Sequence, residues 1–242
     1  QPGPHHRLRR YAGPADGPVA LLIPPLMLTA EIYDVAPDTS AVASLGERGV
    51  LPWIVDFGAP ERERGGMDRS LDDHIRAIVA SIKRVREITG KDVHLCGYSQ
   101  GGMFAYQTAA LLRGEGIRSV ITFGSPVDLH KNLPAVRSDL TASFVKTVYP
   151  LASAIIDRIE GLPGKLTSTA FKLVSTRKEI EQRVEFLRSL HDRDRMVKRE
   201  PRRRFLGGGG FVAWPGPAFH AFVDEFVVHN RMMSGGFVID GH

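Results

Sequence analysis

Ser99 stands in the run Gly97-Tyr98-Ser99-Gln100-Gly101-Gly102, directly after the apolar stretch Val93-His94-Leu95-Cys96 and directly before an alanine- and leucine-rich one, Met103 to Leu112. A bare G-x-S-x-G is weakly specific. A strand before it and a helix after it make the setting of a nucleophile elbow, in which a tight turn presents the serine oxygen at the carboxyl edge of a sheet. Small flanking residues are needed because strand and helix approach each other closely there. The same shape can also serve as a strand-to-helix turn without catalysis.

An elbow serine needs donors for the oxyanion that forms when it attacks an acyl carbon. The backbone N–H of Gln100 is one, at a helix start where the dipole favours negative charge. The other is expected from the loop after the strand Val19-Ala20-Leu21-Leu22-Ile23. Pro24 and Pro25 have no N–H, so Leu26 and Met27 offer the first donors, and Leu26 is the expected one. Cys96 is a rival nucleophile by chemistry, but inside an apolar strand a thiol packs as a small hydrophobe.

A hydrolytic serine also needs a base and an orienting acid, in the chain order Ser, Asp/Glu, His. Asp128 follows the strand Ile117 to Phe123 through Gly124-Ser125-Pro126 and is a candidate displaced acid, although a turn or helix cap explains it equally. His130, His191, His220, His229 and His242 are present, and none follows a strand in the setting of a catalytic base. No base is assigned.

The elements that must position Ser99 alternate. Val19–Ile23, Val50–Val55 (weakened by Pro52), Val93–Cys96 and Ile117–Phe123 read as strands. Ser70, with Asp73 three residues on and Gly90 at the far end, brackets a helix whose Leu71, Ile75, Ile78, Val79, Ile82 and Val85 share one face. Strands alternating with helices predict right-handed crossovers and a mostly parallel sheet. From Leu133 to Leu206 the pattern is helical without a clear strand, with Ile180, Val184, Leu187 and Leu190 in step. A last helix is expected near Ala218 to Met232, then a strand over Gly236 to Ile239. The division is thus a core over 1–130, a helical cap or lid over 131–215, and a return to the core over 216–242.

Composition sets the bounds. A chain of 242 residues with 43% hydrophobic residues can bury a sizeable core. Pro24 and Pro25 break the longest apolar-rich run, Val19 to Ala30, so nothing reads as a membrane span. The single cysteine forms no intrachain disulfide and fits a reducing cytoplasm, and no Cys/His spacing suggests a metal; no cofactor is expected. The net charge of +5 is concentrated at Arg7, Arg9 and Arg10 and in Arg193 to Arg204. That second run reads as a solvated helix face. Its functional alternative is a phosphate-binding surface for nucleic acid, an anionic membrane or the phosphates of coenzyme A, but no nucleic-acid motif accompanies it. The chain begins at Gln1 and stops straight after a strand-like run, so it reads as a piece of a longer polypeptide.

Leu21-Leu22-Ile23-Pro24-Pro25-Leu26, Ser70-Leu71-Asp72-Asp73-His74 and the Ser99 elbow together resemble the polyhydroxyalkanoate synthase-like branch of the α/β-hydrolase superfamily. His229-Asn230-Arg231-Met232-Met233-Ser234-Gly235-Gly236-Phe237-Val238-Ile239 resembles that family's path from cap to core. Phe123 to Asp128 and Arg203 to Leu206 fit the amino-terminal hydrolase domain of actinobacterial acyl-CoA synthetase-type fusion proteins. The resemblance implies an α/β-hydrolase fold with a helical cap and an acyl-enzyme on Ser99, formed from an ester or an acyl-CoA-like thioester. Polymer synthases carry cysteine at the elbow, so Ser99 points to hydrolysis or single acyl transfer rather than polymerisation. The family's acid and histidine follow two further strands with no match here, which implies a truncated core and a covalent continuation. The reading from a different class is a non-catalytic interaction domain of such a larger protein.

Overall fold

In the computed structural model, which describes residues 6–132, 147, 160–174, 192–239 and 241, five strands form one sheet. They are β1 (Arg7–Arg10), β2 (Val19–Ile23), β3 (Leu51–Asp56), β4 (Val93–Tyr98) and β5 (Ile117–Phe123), in the order β1-β3-β2-β4-β5. β1 runs antiparallel to β3 and the other pairs are parallel. The helices described are α1 (Ala41–Glu47), α2 (Leu71–Thr89), α3 (Gln100–Leu111), α4 (Leu129–Asn132), α5 (Gly164–Val174), α6 (Arg193–Arg204), α7 (Gly216–Phe222) and α8 (Arg231–Ser234). A two-stranded ribbon pairs β6 (Gly161–Leu162) with β7 (Trp214–Pro215).

Period-two alternation explains how apolar strands fill both sides of the sheet. Val19, Leu21, Ile23, Trp53, Val55 and Leu95 point into one cluster with α2, α3 and Trp214, Ala218, Phe226 and Ile239. Ala20, Leu22, Ile54 and Cys96 point into a second cluster with Val42 of α1 and with Ala30 and Tyr33. The parallel strand order, with the turn after β4, is that of an α/β-hydrolase core. Pro52 lies one step past the last β1–β3 pair, Arg10–Trp53, where its carbonyl still accepts from the Tyr11 N–H at 3.0 Å, so its missing N–H forfeits only the end bond of that ladder.

α2 is bounded as its sequence requires. Ser70 Oγ accepts from the Asp73 N–H at 3.2 Å, Asp73 Oδ2 accepts from the Ser70 N–H at 2.9 Å, and Gly90 ends the helix at φ 68. Desolvation opposes ionisation of Asp73, but the hydrogen bonds from Ser70 and the charge of Arg76 outweigh it and hold the carboxyl below its ordinary value. Because the shift is downward, this contribution is complete above about pH 4 and fades as the pH falls through the folded value. Ser70→Ala is expected to lower stability by about 1–2 kcal/mol. Urea titrations at neutral pH and near pH 3 check this, and the difference between variant and wild type should shrink at the lower pH.

Three expectations need correction, and one strand carries no sequence signal. Arg7–Arg10, read only as part of the charge excess, is a strand. Leu8 packs on the core, while Arg9 donates to Asp56 Oδ2 from Nε at 2.9 Å and from Nη2 at 2.6 Å and pairs with Glu31 at 2.9 Å. Gly236–Ile239 forms no strand. Gly235 and Gly236 take φ of 71 and 81, so the chain coils while Phe237 stacks on Phe226 at 5.1 Å and Ile239 is buried. The helix expected over Ala218–Met232 starts at Gly216, widens over Val223–Val228 and breaks at Asn230, whose φ is 49. The stretch read as purely helical contains β6. Ile180, Val184, Leu187 and Leu190 lie outside the described residues.

Candidate active site

β4 delivers the chain to Ser99 and α3 carries it away. Ser99 sits at φ 53 and ψ −123, a conformation that side-chain-bearing residues rarely adopt. Its N–H donates to the Phe123 carbonyl at 2.8 Å, and its carbonyl accepts from the Gly102 N–H at 3.0 Å. The glycines are small because backbone fills the space around them. A Cβ on Gly97 would stand 2.4 Å from Gly102 Cα, and one on Gly101 would stand 2.0 Å from the Ile23 carbonyl oxygen. A Cβ on Gly102 would lie 1.9 Å from Ser125 Oγ. The result is a tight strand-to-helix turn with a positive-φ serine at its centre.

Ile23 pairs with Gly97 in register, so the loop after β2 leaves the sheet beside the elbow. Gln100 is the first residue of α3, and its backbone N–H therefore lies at the helix start. The Leu26 N–H, expected to stand open, donates instead to the buried Oε1 of Gln100 at 3.1 Å. Tyr33, which no sequence signal marked, donates its hydroxyl to the Ile23 carbonyl at 2.8 Å, with the Cys96 carbonyl 3.4 Å from the same oxygen. It fastens the carboxyl ends of β2 and β4 beneath the elbow, and burial pushes its phenol above the ordinary range. Cys96 faces the second cluster, and burial pushes its thiol up to about 11, which leaves it a packed thiol rather than a thiolate.

Among the described residues no imidazole or carboxylate hydrogen-bonds Ser99 Oγ. Asp128 accepts from Asn230 Nδ2 at 3.0 Å and from the Lys131 N–H at 3.3 Å, the second contact being the cap of α4. Desolvation acts to raise this carboxyl, but the Asn230 and Lys131 hydrogen bonds prevail and hold it below the usual range. Asn230 also accepts from the Leu129 N–H at 3.3 Å, so it clamps the turn after β5 to the returning chain. His130 Nε2 lies 2.8 Å from the Val227 carbonyl and His229 Nδ1 2.9 Å from the Asp224 carbonyl. His220 lines a cleft of about 540 Å³ with Glu61, Asp68 and Glu160. His191 and His242 lie outside the described residues.

The basic run forms α6, where Arg193, Arg202, Arg203 and Arg204 are exposed and Arg203 pairs with Glu200 at 2.7 Å. Among the described residues no cluster of three or more His, Cys, Asp or Glu side chains offers a metal site. No described helix is long and apolar enough to cross a membrane.

No protein-family model matches the chain. It is similar to the poly(3-hydroxyalkanoate) polymerase subunit PhaC of Allochromatium vinosum, at 26% identity over 97% of this chain and 65% of that protein. The subunit of the same name from Haloferax mediterranei is 23% identical over 91% of this chain and 44% of that protein. The chain therefore spans less than two thirds of the length of either curated relative. These matches support the polyhydroxyalkanoate synthase-like branch indicated by the motifs. Among solved structures, the Bacillus licheniformis lipase BlEst2 in mature form aligns at a TM-score of 0.41 with 15% identity, covering 59% of this chain and 57% of that one. The monoacylglycerol lipase of Paleococcus ferrophilus aligns at 0.42 with 17% identity, covering 59% and 50%. Neither adds to what the sheet order already shows.

Proposed function

We propose that this chain forms an acyl-enzyme on Ser99 and is a serine-nucleophile acyl hydrolase or acyltransferase for ester or acyl-CoA-like thioester substrates. The observation that carries the reading is the backbone of Ser99, held at φ 53 and ψ −123 between a strand and a helix with glycines on both sides. Ser99 Oγ attacks the acyl carbon, its proton passing to a base that lies outside the contacts described. The developing oxyanion meets the Gln100 N–H at the start of α3 and one N–H of the turn over 24–28. Collapse expels the alcohol or thiol, and water or an acceptor hydroxyl then takes the acyl group. The similarity to polymerase subunits supports acyl-transfer chemistry, and serine at the elbow favours hydrolysis or single transfer. An acyl-CoA synthetase-type module as covalent neighbour belongs to this same proposal.

The absence of a described partner for Ser99 Oγ favours a second reading, a non-catalytic interaction domain with an intact elbow. Treatment with a fluorophosphonate separates the two. The catalytic reading expects one adduct, found by peptide mass spectrometry on the segment holding Ser99. No adduct, or an adduct at another residue, overturns it.

A further inference from the structure

The turn after β2 contains four N–H groups between Leu26 and Thr29, and three have acceptors. Leu26 donates to Gln100 Oε1 at 3.1 Å, Leu28 to the Pro25 carbonyl at 3.1 Å, and Thr29 to the Gly210 carbonyl at 2.9 Å. Among the described residues the Met27 N–H has none, although Met27 is only 6% exposed. Buried backbone donors are nearly always paired, so an unpaired one in the turn held by Gln100, the residue after Ser99, calls for an acceptor that arrives with substrate.

The Gln100 side chain has the complementary irregularity. It is 3% exposed, its Oε1 faces Leu26, and its Nε2 is buried without a partner. A side chain that leaves its own donor unpaired while its oxygen holds a loop N–H is placed for that oxygen. The Ile23 carbonyl lies so close to Gly101 that the turn rests directly on the first residues of α3. The Gln100 carboxamide then fixes where the turn sits.

We infer that Met27, rather than Leu26, supplies the second oxyanion N–H, and that Gln100 is a positioning residue whose carboxamide oxygen holds the turn through Leu26. The inference rests on Ser99 being the nucleophile. Its ligand is the anionic oxygen of a tetrahedral acyl adduct, for which the phosphoryl oxygen of a phosphonate stands in.

Two backbone ester variants test it, each made by putting the α-hydroxy analogue of one residue into the full chain so that one N–H becomes an ester oxygen and the side chain is kept. The ester at Met27 is expected to slow fluorophosphonate labelling by roughly a hundredfold. The ester at Leu26 breaks the same bond as Gln100→Met, so it is expected to lower Tm and to slow labelling to about the extent that Gln100→Met does, well short of the Met27 ester. Gln100→Met should lower the maximal labelling rate without changing the probe concentration for half-maximal rate, and Gln100→Glu, which keeps an acceptor oxygen, should restore part of it. A large loss at Leu26 with none at Met27, or equal losses at both, overturns the assignment. Wild type that does not label at Ser99 sinks the nucleophile reading instead, so the two failures are distinguishable.

Discussion

Ser99→Gly is expected to abolish turnover and to make the protein more stable at the same time. The first effect follows from the proposed role of Ser99 as nucleophile, whose removal costs at least roughly 10⁴-fold in kcat where serine attacks an acyl group. The second follows from φ 53 and ψ −123, a backbone region that glycine enters freely and that costs a side-chain-bearing residue about 1–3 kcal/mol. Glycine gives back roughly 0.5–1 kcal/mol through the greater freedom of its unfolded chain. The net gain is therefore about 1 kcal/mol. Urea unfolding of wild type, Ser99→Gly and Ser99→Ala reads the stability, with ester hydrolysis read in parallel. Only the glycine variant relieves the strain, so Ser99→Ala should be inactive without the gain. A Ser99→Gly protein less stable than wild type would sink the strain argument.

Gly101→Ala is expected to be among the most damaging single-methyl changes at the described residues. Its Cβ would stand 2.0 Å from the Ile23 carbonyl oxygen, 2.8 Å from the carbon of that group and 3.1 Å from the Pro24 carbonyl carbon. All three belong to backbone, so no side chain can swing aside. β2 and α3 must separate, at about 3 kcal/mol or more. The same separation lifts the turn off Gln100, so activity should fall in whatever protein remains folded. Gly207→Ala is the control, because nothing lies within 4 Å of its Cβ position. It should stay within about 0.5 kcal/mol of wild type. Thermal unfolding of both variants decides the matter, and similar midpoints would refute the close-approach account.

The parts of this fold that were legible in the sequence are those whose signals are local. Val19–Ile23 is apolar at every position, as a strand covered on both faces must be. Ser70, Asp73 and Gly90 bracket α2 within a single stretch of chain. The elbow needs only its glycines and its two flanking elements. What escaped depends on partners distant in sequence. β1 shows in the sequence only as a cluster of charge until Asp56 is brought beside Arg9, 47 residues away. Tyr33 has no pattern of its own and acquires its role only when β2 and β4 are adjacent. The Leu26 N–H looked open because its acceptor, the Gln100 side chain, lies 74 residues on. Gly236–Ile239 misled for the opposite reason. Its apolar residues suit a strand, but two preceding or opening glycines at positive φ turn the chain out of extended geometry.

The turn beside the elbow is also held from its far side. Val212 donates to the Met27 carbonyl at 3.1 Å and Thr29 donates to the Gly210 carbonyl at 2.9 Å, so the chain leaving α6 is stitched to the residues next to Ser99. For protein engineering this makes the two segments one cassette. A chimaera that exchanged everything from 160 to 212 for foreign sequence, with its own exit path, would leave a carbonyl and an N–H of the host turn without partners. Transplanting new specificity into this scaffold therefore means moving residues 24–29 together with 210–212, with the seam placed beyond both.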